Sequence, residues 1–267
     1  MYNCALIGCG SWGMRVGAKI LNHPDFNLVS IATKTDKILS HLNPKVRHTY
    51  NYMDIILDDS IDLVYAAVHP EVMKNVVPAC IYHDKNVIVE KPLFDNLNDF
   101  EETKNLIRRW HYNNLFLVNY IHLFNQTFID WMNDIVDTGK NGVFSINVRG
   151  PVKRDNMRVK LDYGSHAVAM CLSIADRLGK GHNLTWKVQD EYANAYTEGH
   201  AFTLRYGNSN PKDVSVTFID YLGDTLTWRD DRGFDSLGNL LTIASQNLNT
   251  PFSNFDLAYR VGRILLT

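Results

Sequence analysis

The chain has 267 residues, 45% of them hydrophobic, and its 27 basic and 29 acidic residues leave a formal net charge of -2. That composition belongs to a folded protein with a sizeable core and excludes a disordered or fibrous chain. The two signs of charge are interspersed, which argues against nucleic acid as a partner.

Apolar, β-rich runs at residues 4–7, 28–32, 63–67, 87–89 and 116–118 alternate with helical stretches at 14–21, 72–82 and 100–110. Such alternation predicts parallel strands joined by crossover helices, a doubly wound sheet. The spacing then predicts a helix over 126–137, stopped near Gly139 and Gly142. From about residue 143 the runs at 143–149, 184–188, 202–206, 214–221 and 225–228 follow one another with little helix between them, and predict a mostly antiparallel sheet. Apolar positions at helical period over 252–266 predict a closing helix. The fold class is therefore α/β, a Rossmann sheet over residues 1–121 followed by an α+β domain over 122–267.

Cys4, Cys9, Cys80 and Cys171 form no CxxC pair and read as reduced core residues. No basic secretory segment opens the sequence, and no stretch approaches the roughly 20 apolar residues that span a bilayer. A cytoplasmic protein is expected, with no membrane partner and no bound metal.

Gly8-Cys9-Gly10-Ser11-Trp12-Gly13 follows the first strand and opens the first helix, the context in which this spacing binds a dinucleotide. Gly8 permits the tight turn, Gly10 admits a pyrophosphate to the backbone and Gly13 lets the helix pack on the strand. The helix-opening amides around Ser11 and Trp12 then face the phosphates. An NAD-specific site places an acid about 20 residues further on. Ala32-Thr33-Lys34-Thr35 stands there instead, and Lys34 with the Thr33 and Thr35 hydroxyls suits a 2′-phosphate. NADP is expected over NAD; the alternative is a solvated Lys34 with Asp36 on the ribose. Val68 and His69 are expected to line the cofactor crevice beyond their strand, a plain turn being the alternative for His69.

Glu90-Lys91-Pro92 ends a later strand, the segment 62–102 keeps the same pattern, 115–128 leads into the second half, and Asp162-Tyr163-Gly164-Ser165-His166 follows. In this order the motifs resemble the glucose-fructose oxidoreductase / inositol dehydrogenase / rhizopine catabolism family. The resemblance implies NAD(P)-dependent chemistry on the hydroxyl of a small-molecule substrate such as a sugar, inositol or nucleotide-sugar. It also implies Lys91, Asp162 and His166 as the catalytic group, with Glu90 and Lys91 beside the cofactor. Oxidising a secondary alcohol independently needs a base, which His166 suits near neutral pH, and a cation beside the oxygen, the role of Lys91. Asp162 is expected in a loop and His166 in the first turn of a helix opening at Gly164, with the carboxylate orienting substrate or base. Pro92 makes a cis bond from Lys91 accessible. Tyr120, His122, Asn125 and Tyr163 are further candidate substrate contacts.

Ala169 stands where the family places another aspartate, and the second half is short for the family. A carbonyl or double-bond reductase of the dihydrodiol or biliverdin reductase kind, and a non-catalytic NADP-binding regulator, are the competing expectations. An uncovered sheet face in the second half would favour a homo-oligomer, a dimer or tetramer.

Overall fold

A computed structural model of the chain describes residues 1–34, 45–151, 159–231, 233–248 and 250–267. The first elements are β1 (Tyr2–Ile7), α1 (Ser11–Leu21), β2 (Phe26–Ala32), β3 (Arg47–Thr49), α2 (Met53–Ile56), β4 (Leu63–Ala66), α3 (Pro70–Tyr82), β5 (Asn86–Glu90), α4 (Leu97–Arg109) and β6 (Phe116–Asn119). A 3-10 turn (Ile121–Phe124) leads to α5 (Gln126–Thr138), β7 (Gly142–Gly150), α6 (Val159–Arg177), β8 (Thr185–Val188), β9 (Tyr192–Thr197), β10 (His200–Asn208), β11 (Asp213–Asp220) and β12 (Thr225–Arg229). The helices α7 (Ser236–Asn247) and α8 (Phe255–Leu266) follow. The chain forms two compact units, Met1–Asn119 with Leu237–Tyr259, and Tyr120–Ser236 with Arg260–Thr267.

In the first unit six parallel strands lie in the order β3-β2-β1-β4-β5-β6. Every residue of β4 and β6 is buried, as strands covered on both faces require. The order of connection reverses between β1 and β4, and a crevice at the carboxyl ends of these strands is where such sheets bind ligands. Local chemistry sets the helix starts. His69 caps α3 with Pro70 in its first turn, and the Asn96 side chain accepts from the Asp99 N–H to begin α4.

The returning segment occupies the edge strand β6. Phe116 donates its N–H to the Phe252 carbonyl at 2.9 Å, and the Asn254 side chain exchanges bonds of 2.7 and 3.0 Å with the Val118 backbone. Edge groups open to another chain are thereby taken up. This extended contact is why α8 begins at Phe255 rather than at residue 252, where its periodicity suggests.

In the second unit the order is β12-β11-β7-β10-β9-β8, with β7 and β10 parallel and the other neighbours antiparallel. Phe144, Ile146, Val148, Phe202, Leu204 and Phe218 form the buried face, over which α6 packs on β7 and β10. The opposite face is open, with Val143, Arg149, Tyr192, Tyr196, Arg205 and Ile219 exposed. The α/β class and the mostly antiparallel second sheet agree with the sequence reading, and α5 ends as expected at Gly139, whose φ is 63°. The sequence reading opens a helix only at Gly164, whereas the 19-residue helix α6 begins at Val159; buried almost all round, it lacks the amphipathic stripe that would mark its start and extent.

Candidate functional site

The glycine turn is shaped by contacts that leave no room for side chains at two positions. Gly8 has a φ of +92°, and a Cβ there would lie 2.5 Å from the Ala67 carbonyl oxygen and 2.6 Å from Val68 Cγ1. At Gly13 a Cβ would lie 2.1 Å from the Gly8 carbonyl oxygen, whereas at Gly10 nothing stands within 4 Å. The turn is therefore closed against β4 and open at Gly10, the position where a pyrophosphate needs access to the backbone. Gly10 also caps α1 without a side chain, so the helix-opening amides of Ser11 and Trp12 sit behind an open cap, a favourable place for an anion.

At the end of β2, Thr33 donates its N–H to the Thr49 carbonyl at 3.0 Å and Lys34 is exposed. Thr35 and Asp36 lie outside the described residues. His48 places a ring nitrogen 3.1 Å from the Thr33 carbonyl; it arrives on β3, a strand too short and polar to stand out in the sequence. Val68 packs beneath the glycine turn. The His69 imidazole accepts from the Glu71 N–H at 3.4 Å, so its ring serves as the α3 cap.

Glu90 and Lys91 leave β5 next to this turn. One Glu90 carboxylate oxygen accepts from Trp12 Nε1 at 2.6 Å, the Tyr65 hydroxyl at 2.7 Å and Asn119 Nδ2 at 2.8 Å. Burial raises the Glu90 carboxyl above its ordinary value, while the three donors and the Lys91 charge pull it back. Burial and the neighbouring carboxylate hold the Tyr65 phenol well above its usual value. Trp12 thus ties the glycine turn to the Glu90-Lys91-Pro92 segment, a link that needs side chains from positions 12, 65, 90 and 119 and has no local signature. The Lys91–Pro92 bond is cis, and Lys91 is half-buried.

In the second unit Asp162 and His166 both lie inside α6, contrary to the expected loop and first turn. Four residues apart, they share one helix face. Gly164 between them is a packing glycine, since a Cβ there would lie 3.1 Å from the Tyr206 ring. Ala169 is fully buried in the same helix. His166 is 8% exposed, with the His122 and Tyr120 ring centroids 5.0 and 6.3 Å from its own. His122 is held by Asp230, its Nδ1 standing 3.4 Å from Oδ2, a partner that sequence reasoning does not reveal.

Asn125 caps α5, accepting from the Thr127 N–H at 3.0 Å, and its buried Nδ2 has no hydrogen-bond partner among the described residues. Tyr163 donates to the Pro151 carbonyl at 2.6 Å. The structure thus gathers Tyr120, His122 and His166, and gives Asn125 and Tyr163 local structural duties as well. The four cysteines are buried and free. Among the described residues no cluster of His, Cys, Asp and Glu could hold a metal ion, and no helix is long and apolar enough to cross a membrane.

The strand order and glycine turn define a Rossmann fold. Residues 2–120 match the family model described as "Oxidoreductase family, NAD-binding Rossmann fold". That model is of the glucose-fructose oxidoreductase / inositol dehydrogenase / rhizopine catabolism family, the one that the sequence motifs resemble. Among solved structures, the chain resembles myo-inositol 2-dehydrogenase from Lactobacillus plantarum, with 15% identity, a TM-score of 0.80, and coverage of 99% of this chain and 95% of that one. Myo-inositol dehydrogenase from Corynebacterium glutamicum ATCC 13032 is similar at 14% identity, TM-score 0.82, and coverage of 99% and 94%. Myo-inositol dehydrogenase from Lactobacillus casei, solved with NAD(H) and myo-inositol, is similar at 12% identity, TM-score 0.81, and coverage of 99% and 92%. No curated protein matches the sequence.

Proposed function

We propose that the chain is an NADP-dependent oxidoreductase that moves a hydride between the nicotinamide and a hydroxyl- or carbonyl-bearing carbon of a sugar, inositol or nucleotide-sugar. The observation that carries this reading is the glycine turn, closed against β4 and open at Gly10, with Glu90-Lys91 tied to it through Trp12. In this reading residues 1–121 hold the cofactor and residues 122–267 the substrate. Ser11 and Trp12 offer backbone amides to the pyrophosphate. Lys34 and Thr33 take the 2′-phosphate, with His48 at the same strand end; Thr35 belongs to the same proposal.

The bound cofactor supplies the acceptor for the hydride that leaves the substrate carbon with its electron pair. His166, as the neutral imidazole, takes the proton of the substrate hydroxyl, so that a carbonyl remains. Lys91 stabilises negative charge on that oxygen as the proton leaves. Asp162 orients a second substrate hydroxyl or the imidazole from the same face of α6. Asn125 Nδ2, buried and without a hydrogen-bond partner among the described residues, would donate to a substrate oxygen or a water. Absorbance of reduced nicotinamide, followed with NADP or NAD and a panel of polyols, nucleotide-sugars and bilins, tests the reading. Turnover is expected with a polyol or nucleotide-sugar and NADP, and Lys34→Glu should weaken NADP by about tenfold or more while sparing NAD, as loss of a charge-assisted phosphate contact does. Cofactor binding with no turnover across the panel favours the regulator instead, and an unchanged cofactor preference in Lys34→Glu removes the 2′-phosphate assignment.

The open face of the second sheet, with Val143, Tyr192, Tyr196 and Ile219 exposed, supports a further part of the proposal, assembly into a homodimer or tetramer through that face. Sedimentation at micromolar concentration should show an oligomer. A single monomeric species refutes it.

A further inference from the structure

His122 is a second buried imidazole beside the proposed base, and a carboxylate stands against its ring. It is 4% exposed, and its ring centroid lies 5.0 Å from that of His166 with the planes at 65°. Asp230 stands against its Nδ1 at 3.4 Å. Two imidazolium ions at this separation repel, so the pair titrates as a unit that takes up one proton well before the second. That proton belongs on the ring facing the carboxylate. We propose that the Asp230–His122 pair carries a proton beside His166 and so keeps His166 in its neutral, proton-accepting form.

The other groups around the pair are consistent with that distribution. Lys212 Nζ shares the same Asp230 oxygen at 3.3 Å, but its side chain is 34% exposed against 5% for His122, so solvent screens the lysine more than the imidazole. Tyr120, from the chain entering the 3-10 turn, stays a neutral phenol because burial raises its pKa far above the usual value. On the far side of His122, Trp228 of β12 lies 6.5 Å away between ring centroids and donates to the Thr127 hydroxyl at 2.9 Å; both are uncharged. Beneath α6, β7 and β10 present Ile146, Val148, Leu204 and Tyr206, whose phenol burial also raises. Asp162, one turn before His166, is the opposing influence, since a carboxylate on that face favours a protonated His166. His122 would offset it. In this scheme His122 is a positioning residue that acts through the charge state of His166.

The inference rests on the proposed role of His166, and its test separates the two. Histidine side-chain NMR titration of the full chain without cofactor gives the His166 midpoint whether or not a substrate is known. Removing the neighbouring positive charge in His122→Gln, or its carboxylate partner in Asp230→Asn, should raise that midpoint by about one pH unit. In the polyol reaction, the acid limb of kcat/KM should move to higher pH by the same amount, with NADP affinity unchanged. A packing role alone predicts lower activity with the midpoint and limb in place. The proposal is overturned if both variants fold and the His166 midpoint stays within about 0.2 unit of the parent value, since a like charge this close shifts a pKa by more. Absence of turnover in the parent protein would instead count against the oxidoreductase reading and leave the titration result standing.

Discussion

Lys91→Met is expected to lower kcat/KM for the polyol reaction by about 10³-fold, the scale found when one preorganised charge partner of a developing oxyanion is removed. The loss should fall on kcat, because Lys91 is assigned to charge that appears only as the substrate proton leaves. Cofactor affinity should change little, since the phosphate contacts are assigned to the glycine turn and to Lys34. Burial already holds the Glu90 carboxyl above its ordinary value, and Lys91 is one of the groups that pull it back, so the variant should raise that carboxyl further. Lys91→Gln, which keeps a polar end but no charge, separates charge from polarity and should be as slow as the methionine variant. Stopped-flow measurement of the first turnover distinguishes the chemical step from product release. Unchanged turnover in both variants removes lysine from the mechanism, whatever the cofactor does.

Most of the first unit was legible because its strands are continuous apolar runs and its helices are amphipathic, the two patterns that sequence shows best. What escaped there is short or distant. β3 is three residues long, and the pairing of β6 with residues 252–254 joins positions more than a hundred apart. In the second unit α6 hid its period by being buried on nearly every side, and Tyr192–Thr197 is broken by two alanines, Ala193 and Ala195, that read poorly as strand residues yet are fully buried. For the candidate site, the motif residues could be named from order and spacing. Their partners could not, because Trp12 on Glu90 and Asp230 on His122 are separated by 78 and 108 positions and are brought together only by the fold. The same blindness applies to Gly164, whose place in the motif reads as a helix start but whose contact with Tyr206 makes it the point where α6 meets the sheet.

The three glycines of the turn should respond in opposite ways to the same small change. In Gly13→Ala the added methyl meets the Gly8 carbonyl oxygen at 2.1 Å, backbone that sits at the end of β1 and has little freedom to retreat. The protein should lose about 3 kcal/mol of stability, the upper range for forcing one extra carbon into a packed interior. Gly8→Ala should be at least as damaging, because contact with Ala67 and Val68 adds to a φ of +92° that alanine rarely adopts. Gly10→Ala meets nothing within 4 Å, so its folding stability should change by less than about 1 kcal/mol, the scale of a glycine-to-alanine exchange at a helix N-cap. Its effect should appear in binding instead. A methyl group on the open side of the turn stands where the pyrophosphate must approach the backbone, and a 1–3 kcal/mol clash would weaken NADP by roughly 10- to 100-fold. Thermal unfolding with and without NADP reads both quantities, since a bound ligand raises the midpoint by an amount that depends on its affinity. The parent and Gly10→Ala should unfold together without NADP and separate when it is added. If Gly10→Ala binds NADP as the parent does, the phosphates lie elsewhere and the glycine turn is only a turn.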